Sequence, residues 1–437
     1  MLRNRRGSSE RRLNRRYRFR EIVVLPFSTL GRKRLWVGIR FRANRFTAPL
    51  AALYRRTIIR RCHVITVIGS FGKTTTTRAI AAILGQSPSR LGWGFNARGL
   101  LVEEVLHIHP RCPAKVIEVG IIDRGAMLRN ARFLRPDSVV VTSIGAEHRT
   151  TLGSIREIRN EKADMVRRLP ATGTAILNGD DVNVRWMASQ TRASVTTFGF
   201  EEDNDIRAAN YRSHGLSGGS FDLQVAGQSR TVHTKLVGCH QVYALLAAVA
   251  VSQTEHLDLE ASLGSIDALL PTRRRLWPLH LESGADLLLD NYTSTFGTFD
   301  PALDVLKEIP APHKMVVLGE VFEGHGKEDQ IYRYLGLRVA QVADGAIFIG
   351  GDSNFRSFKQ GAGTKGASIA SAQRSMHEAA RLLKERMTSQ SVVLLKGTGS
   401  LGLERIALKL AGEDVGCDRI PCNVAETWGC DHCPSLK

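Results

Sequence analysis

Residues 69–75 combine the residue types that hold the phosphate groups of a nucleotide. Two glycines let backbone N–H groups close around an anion, because no Cβ stands in the way. The ammonium group of Lys73 can reach the outer phosphates, and the hydroxyl of Thr74 can bind Mg²⁺. The residues predicted to contact a nucleoside triphosphate are Gly69, Ser70, Phe71, Gly72, Lys73, Thr74 and Thr75.

The elements that must position this loop flank it directly. Apolar, β-branched residues from Val64 to Ile68 predict a buried parallel strand, and a helical run begins at Lys73 and continues to Leu84. The N-terminus of such a helix carries partial positive charge, which favours bound phosphate. The alternative is a tight turn with an incidental lysine, but the flanking strand and helix favour the phosphate site. The full Walker spacing of transport and partition ATPases would need a glycine where Val67 stands.

Two later strands are predicted to end in residues that can bind metal ions. Lys115–Val119 contains Glu118, and Ser138–Ile144 runs on towards His148. Ligands of open α/β sheets bind beyond the carboxyl ends of the strands, so we expect both side chains on the same edge as the phosphate loop. A carboxylate and an imidazole there suit Mg²⁺ ions that bridge phosphates. Taken singly, each could be an ordinary strand-end carboxylate or loop histidine; beside a phosphate loop, metal binding is favoured.

Charge and periodicity divide the chain of 437 residues into four parts. Residues 1–62 form an arm with 19 Lys and Arg against two acidic residues, whereas the remainder is nearly balanced. Strands alternate with helices from 63 to 270, which predicts a central parallel-sheet domain of the phosphate-loop type. The alternation resumes over 271–412 and predicts a C-terminal Rossmann-like domain, so the fold class is α/β. Residues 413–437 form a cysteine-rich tail.

The basic arm alternates arginine clusters with short apolar patches such as Leu35–Phe41. One interpretation is a peripheral contact with anionic lipid, in which arginines meet phosphates and apolar residues reach the interface. The other is a solvated basic tail, or one that adheres to RNA without a dedicated role. We expect a cytoplasmic monomer, at the inner face of the membrane under the first interpretation. No specific nucleic acid partner is expected, because the body of the chain is nearly neutral.

The tail has a Cys-x4-Cys-x7-Cys-x2-Cys pattern, and its last pair is the strongest half of a metal site. Four thiols so close in sequence suit one tetrahedral Zn²⁺, and an iron–sulfur cluster or disulfides formed on oxidation are the alternatives. The predicted zinc ligands are Cys417, Cys422, Cys430 and Cys433.

The ordered run of motifs over residues 63–412 resembles the Mur ligase family. So many matches in the same order argue against chance. Besides the phosphate loop, they are Glu118-x-Gly120, Arg135-Pro136-Asp137 leading into Val139–Gly145, His148 through Gly153-Ser154, the Glu161-Lys162-Ala163 helix, Ile176-Leu177-Asn178-x-Asp180-Asp181, Gly238-x-His240, Val317-Leu318-Gly319-Glu320 and Lys396-Gly397-Thr398.

The resemblance implies an ATP-dependent ligase that joins a carboxylate to an amine through an acyl-phosphate. Lys73 and Thr74 would hold the γ-phosphate and a first Mg²⁺, which Glu118 would share. His148 would bind a second Mg²⁺ together with Lys162, a lysine that is commonly carbamylated in the family. On its own, Lys162 would be interpreted as a surface lysine of a helix. Such chemistry needs cations on developing phosphoryl charge more than a protein nucleophile.

The resemblance also places nucleotide contacts elsewhere in the chain. Arg275 and Asp290 resemble the family's arginine and aspartate at the nucleotide, with Asp290 on the ribose hydroxyls. Asn96 resembles an asparagine near the phosphates. Gln241 and Ala244 stand where the family has asparagines that contact adenine.

Two further departures concern the substrate. Only the basic arm precedes the phosphate loop, so the family's N-terminal UDP-sugar domain is expected to be absent. The family signature Asp-x-Tyr-Asn-Ala-Asn-Pro becomes Asp290–Phe296, which keeps only the aspartate and the tyrosine.

We expect an amide-forming ligase of small-molecule carboxylate and amine substrates, in cell-wall (peptidoglycan) or related peptide biosynthesis. The alternative is a nucleotide-binding scaffold or regulator with reduced catalysis. A simple nucleotide binder needs only the phosphate loop, so the presence of Glu118, His148 and Lys162 favours the enzyme.

Overall fold

The computed structural model describes residues 46–86, 98–121, 123–147, 152–322, 324, 326–422, 429–431, 433 and 436. The chain divides into two compact units. The first contains the chain up to Asn210, Asp222–Val232 and Gln241–Leu269; the second contains Tyr211–Phe221, His233–His240 and Leu270–Lys437.

The first sheet has eight strands in the order β2-β1-β3-β4-β5-β6-β7-β8. Neighbours from β2 to β6 are parallel. The strands are β1 His63–Ile68, β2 Ala114–Glu118, β3 Ser138–Val141, β4 Thr174–Asn178, β5 Ser194–Gly199, β6 Ile206–Ser213, β7 Gly219–Val225 and β8 Gln228–Thr234. The carboxyl ends of β1, β2 and β3 therefore lie side by side at one edge.

Helices connect and cover the parallel strands of the first unit. Their bounds are α1 46–56, α2 Lys73–Ile83, α3 Arg98–Leu106, α4 Ala126–Leu134, α5 Ile155–Val166, α6 Val182–Arg185, α7 Val242–Thr254 and α8 Leu259–Asp267. A capping box starts α5: the Ser154 hydroxyl accepts a hydrogen bond from Glu157 N, and the Glu157 carboxylate accepts one from Ser154 N. This cap fixes the first turn of the helix that carries Lys162.

The second unit is a six-stranded sheet in the order β13-β12-β11-β14-β10-β9, of which only β9 pairs antiparallel. Alternate residues of its strands enter apolar clusters on opposite faces, as in a sheet covered on both sides. The strands are β9 Trp277–His280, β10 Asp286–Asp290, β11 His313–Gly319, β12 Gly345–Ile349, β13 Ile369–Ser371 and β14 Ser391–Lys396. The helices are α9 Phe299–Glu308, α10 Glu328–Val342, α11 Asp352–Gly361, α12 Met376–Arg386 and α13 Glu404–Leu410.

The predicted α/β class and its parallel sheets are confirmed. The strand predicted over Ser138–Ile144 ends at Val141, because the next two residues use their hydroxyls to bind the phosphate loop. Within the described residues, no helix is long and apolar enough to cross a membrane.

Candidate active site

The phosphate loop, residues 69–72, is held against the end of β3 by hydroxyl groups. Thr142 Oγ1 donates to Phe71 O at 2.6 Å, and Ser143 Oγ accepts from Phe71 N at 3.0 Å. Gly69 has a φ of +146°, and a Cβ there would lie 2.0 Å from Thr142 Oγ1. Only glycine fits this approach, so the loop's shape depends on tertiary contact as well as on its own sequence.

Lys73 opens α2 and folds back over the loop. Its Nζ donates to Gly69 O at 3.0 Å and to Ser70 O at 2.8 Å, and it lies 3.6 Å from Glu147 Oε2. The cation thus stands at the loop and the helix N-terminus, where an anionic phosphate would bind.

Lys162 enters the same site from α5 and is only 1% exposed. Its Nζ donates to Ser70 Oγ at 3.0 Å. Burial and the charge of Lys73 lower the pKa of Lys162 to about 7, while the carboxylates of Glu147 and Asp181 oppose the shift. The ammonium and neutral amine forms are therefore both accessible near neutral pH.

Glu118 and Thr74 lie at the same carboxyl edge. Glu118 pairs in register with Val67 of β1, two residues before the loop begins, and its Oε2 is buried without a hydrogen-bond partner. Thr74 is buried in the first turn of α2. A hydroxyl and a carboxylate oxygen are donors that suit Mg²⁺, which commonly takes one or two carboxylates together with substrate phosphates. The residues present therefore fit a Mg²⁺–nucleotide.

The second unit has its own polar cluster where β10 and β14 end. Asp290 and Lys396 are register partners, and their side chains form an ion pair at 2.8 Å. Lys396 is 1% exposed and also donates to Thr293 O at 2.7 Å. The guanidinium of Arg275 lies 4.3 Å from the ring centroid of Tyr292. Cationic, carboxylate and aromatic groups thus gather on one edge, a combination that can contact a nucleotide.

Several predicted residues are therefore brought together and two are outside the described part of the chain. Ser70, Lys73 and Lys162 meet directly in the first unit, and Arg275 and Asp290 share an edge in the second. Asn96 and His148 lie outside the described residues.

Sequence reasoning missed the residues that hold the others in place. Thr142 and Ser143 bind the loop, Asp181 accepts a hydrogen bond from Ile144 N at 2.7 Å, and Lys396 pairs with Asp290. Each of these residues lies within a motif of the resemblance or directly after one, and that position in the motifs could have identified them.

The predicted zinc site is not supported. All four cysteines are described and none forms a disulfide, and the described residues include no group of three or more His, Cys, Asp or Glu side chains that could hold a metal ion. A buried arginine organises the tail instead: Arg405 Nη1 donates to Cys417 O at 3.3 Å and lies 3.5 Å from Cys417 Sγ. Burial raises the pKa of the Cys430 thiol to about 12.

Comparisons with known proteins agree with this architecture. Residues 67–252 match the model of the Mur ligase middle domain. The UDP-N-acetylmuramoyl-tripeptide–D-alanyl-D-alanine ligase of Escherichia coli (strain K12) is 28% identical over 371 residues, which are 83% of this chain and 79% of that protein.

Two solved structures have a similar fold. A crystal structure of MurF from Acinetobacter baumannii has a TM-score of 0.73 at 21% identity, with 84% of this chain and 80% of that one covered. MurF from Thermotoga maritima in complex with ADP also has a TM-score of 0.73, at 19% identity, with 84% and 83% covered. The described geometry, the middle-domain match and these likenesses agree: residues 67–252 match the Mur ligase middle domain, and over most of its length the chain is similar to ligases of that family.

Proposed function

We propose that the protein is an ATP-dependent, ADP-forming ligase that joins a carboxylate to an amine. The observation that carries this proposal is the contact between Lys162 and Ser70 within the phosphate loop. A protein that only binds a nucleotide has no need to bury a second lysine at 1% exposure behind its loop, because burial of an amine costs free energy. Its presence is better explained by a role in chemistry.

In the proposed reaction, a substrate carboxylate attacks the γ-phosphate of ATP and ADP leaves. The resulting acyl phosphate is attacked by the amine, and inorganic phosphate leaves as the amide forms. Lys73 and the loop N–H groups would hold the transferred phosphoryl group in line and stabilise its developing charge. Thr74 and Glu118 would hold Mg²⁺, which when bound neutralises charge on the phosphates.

Lys162 would serve this reaction as an anion rather than a cation. With its pKa near 7, part of the amine is neutral at physiological pH and can react with CO₂. The amine nitrogen forms a bond to the carbon of CO₂ and releases a proton, which leaves a carbamate. That group would be a metal ligand together with His148, as the family resemblance implies. We also propose, as the family resemblance implies, that Asn96 contacts the phosphates.

The second unit would contribute the remaining nucleotide contacts. Asp290 is held by Lys396 and would accept hydrogen bonds from ribose hydroxyls, and Arg275 would contact the nucleotide. Gly69, Ser70, Phe71, Gly72 and Thr75 would complete the phosphate site. We retain the proposed limits of the central and C-terminal domains, 63–270 and 271–412.

The names of the relatives suggest the substrate class. The Escherichia coli protein is a ligase of UDP-N-acetylmuramoyl-tripeptide and D-alanyl-D-alanine, and the Thermotoga maritima structure contains ADP. We propose an acid–peptide or acid–amino acid ligation in cell-wall or related peptide synthesis. We also propose a cytoplasmic monomer whose basic arm touches the anionic inner face of the membrane.

A release assay tests the ligase proposal. Purified full-length protein is supplied with ATP, Mg²⁺, a panel of carboxylates and a panel of amines, and ADP and phosphate are measured. Release should require both substrates, and Lys73→Ala should abolish nucleotide binding and turnover. Lys384→Ala, a change of an exposed lysine in α12, is the matched control and should retain both. Nucleotide binding without turnover on any pair would favour the scaffold alternative instead.

A further inference from the structure

The N-terminal helix α1 has an apolar face on each side. Its inner side packs Ala51 into the core of the first unit, and the buried guanidinium of Arg55 fixes it there. Arg55 donates to Leu134 O at 2.9 Å and forms an ion pair with Asp137 at 2.9 Å. The helix is therefore a firmly attached part of the unit.

The outer side of α1 is also apolar. Phe46, Leu50 and Leu53 are 78%, 61% and 57% exposed, and Ile58, just beyond the helix, is 56% exposed. The three helical residues are spaced by four and three positions, so they share one stripe opposite the buried side. Single exposed apolar residues are ordinary, but a third of the twelve large exposed ones among the described residues fall within these 13 positions.

The charges around this face select its partner. Arg56, Arg60 and Arg61 are exposed beside it, and residues 46–62 contain no acidic side chain. The whole arm, residues 1–62, carries 19 basic and two acidic residues. An apolar stripe with a basic border matches a lipid surface whose headgroups are anionic. RNA would meet the arginines but would leave the apolar stripe in water.

The placement of α1 leaves the phosphate site open. Its contacts are with residues that precede strands: Tyr54 donates to Ile108 O ahead of β2, and Arg55 binds Leu134 and Asp137 ahead of β3. These strands are parallel to β1, so α1 lies at their amino ends and the phosphate loop at their carboxyl ends. A bilayer under α1 would not cover the loop.

We infer that the outer face of α1, formed by Phe46, Leu50, Leu53 and Ile58, inserts into the interface of an anionic bilayer. The arginines beside it would rest on lipid phosphates. This face gives the basic arm a defined surface for insertion. Membrane binding through it does not require ligase activity.

Vesicle flotation with the full-length protein tests this inference. Wild-type protein should float with vesicles of phosphatidylglycerol and phosphatidylcholine, and much less with phosphatidylcholine alone. The variant Phe46→Ser/Leu50→Ser/Leu53→Ser should lower the partition coefficient at least about tenfold, because three apolar side chains lose their burial. The control Val182→Ser/Leu337→Ser, which removes exposed apolar residues elsewhere, should bind as wild type does.

A variant that removes charge and a control for folding are measured in the same way. Arg56→Ser/Arg60→Ser/Arg61→Ser should weaken binding several-fold, with a smaller effect at high salt. Thermal unfolding of the serine triple variant should match wild type, since the changed side chains face outward. Equal flotation of the triple variant and wild type would overturn the inference. A second outcome would also overturn it. If light scattering showed a wild-type dimer that the triple variant no longer forms, and vesicle binding were unchanged, a second copy of the chain would be the partner that covers the face. A lower unfolding temperature with unchanged vesicle binding would overturn it as well, in favour of cover by residues 1–45.

Discussion

Two lysines of the molecule are buried to the same extent but held in opposite ways. Lys162 in the first unit and Lys396 in the second are each 1% exposed. The Nζ of Lys396 is 2.8 Å from a carboxylate oxygen of Asp290, whereas the Nζ of Lys162 has a neutral hydroxyl, Ser70 Oγ, at 3.0 Å. Among the described residues, Lys162 forms no ion pair within 4 Å.

The difference shows that the partner, more than burial, decides what a buried lysine can do. Burial lowers the pKa of both lysines, and Asp290 directly opposes the shift at Lys396. At Lys162 the charge of Lys73 adds to the effect of burial, and the carboxylates that oppose it stand farther away. Lys396 is thus built as a structural cation that orients Asp290, and Lys162 as an amine with variable protonation.

The largest expected effect comes from breaking the ion pair of the second unit. Lys396→Met should lower the free energy of unfolding of this unit by about 3–5 kcal/mol, because Asp290 would be left without a counter-charge in a largely buried position. Urea unfolding followed by near-ultraviolet circular dichroism measures the change. The double variant Lys396→Met/Asp290→Leu should recover most of the loss. A single variant as stable as wild type would remove the structural role assigned to the pair.

Lys162→Met should have the opposite effect on stability. The folded-state pKa of Lys162 is about 7 and that of an unfolded lysine is about 10.4, so the unfolded chain binds more protons between these values. Wild-type stability should therefore rise with pH across this window, and the burial penalty should be complete below pH 7. The variant lacks the penalty and should be at least as stable at pH 7, with a flatter profile.

The measurement is urea unfolding at pH 7, 8 and 9 in buffer free of CO₂, so that carbamate does not form. Lys384→Met, at an exposed site, should reproduce the wild-type slope. The proposed chemistry requires that Lys162→Met also lose turnover by a factor of about 10² or more while ATP binding persists. If Lys162→Met were less stable than wild type and fully active, Lys162 would be a structural cation like Lys396 and not a reactive amine.

A smaller effect is expected from the loop on which Lys162 rests. In Gly69→Ala the new methyl would meet Thr142 Oγ1 at 2.0 Å, and the positive φ adds strain of about 1–3 kcal/mol. Displacement of the loop should weaken nucleotide binding at least about tenfold by calorimetry. Gly85→Ala is the matched control, because Gly85 also has a positive φ but nothing within 4 Å of an added Cβ. Equal nucleotide affinity of the two variants would show that the tertiary contact at Gly69 is unimportant.

The sequence predicts those parts of the first unit that are set by local pattern. The β1 strand, the loop and α2 follow from the apolar run and the glycines within 21 consecutive residues. Short-range chemistry of this kind depends on neighbours in sequence, so it can be predicted without the fold. Helices α3 and α4 were not predicted, since each has only nine residues.

Contacts between distant positions could not be predicted in the same way. Lys162 lies 92 residues from Ser70, and a single helical lysine is equally compatible with an exposed surface position. The Asp290–Lys396 pair needs the register of β10 against β14, which no local pattern gives. The zinc prediction is not supported, for a related reason: the spacing of cysteines says nothing about Arg405, whose buried guanidinium lies beside Cys417.

The smallest expected effect concerns the charges that face Lys162. Glu147 raises the pKa of Lys162, and it also lies 3.6 Å from the ammonium group of Lys73. Glu147→Gln should therefore lower the pKa of Lys162, because one opposing charge is lost and the repulsion by Lys73 is no longer offset. The acid limb of the pH–rate profile should move to lower pH, by up to about one unit. Glu282→Gln, a change of an exposed residue, should leave that limb in place. An alkaline limb that moved to lower pH, with the acid limb unchanged, would mean that the ionised form of Lys162, like that of Lys396, is the one that works.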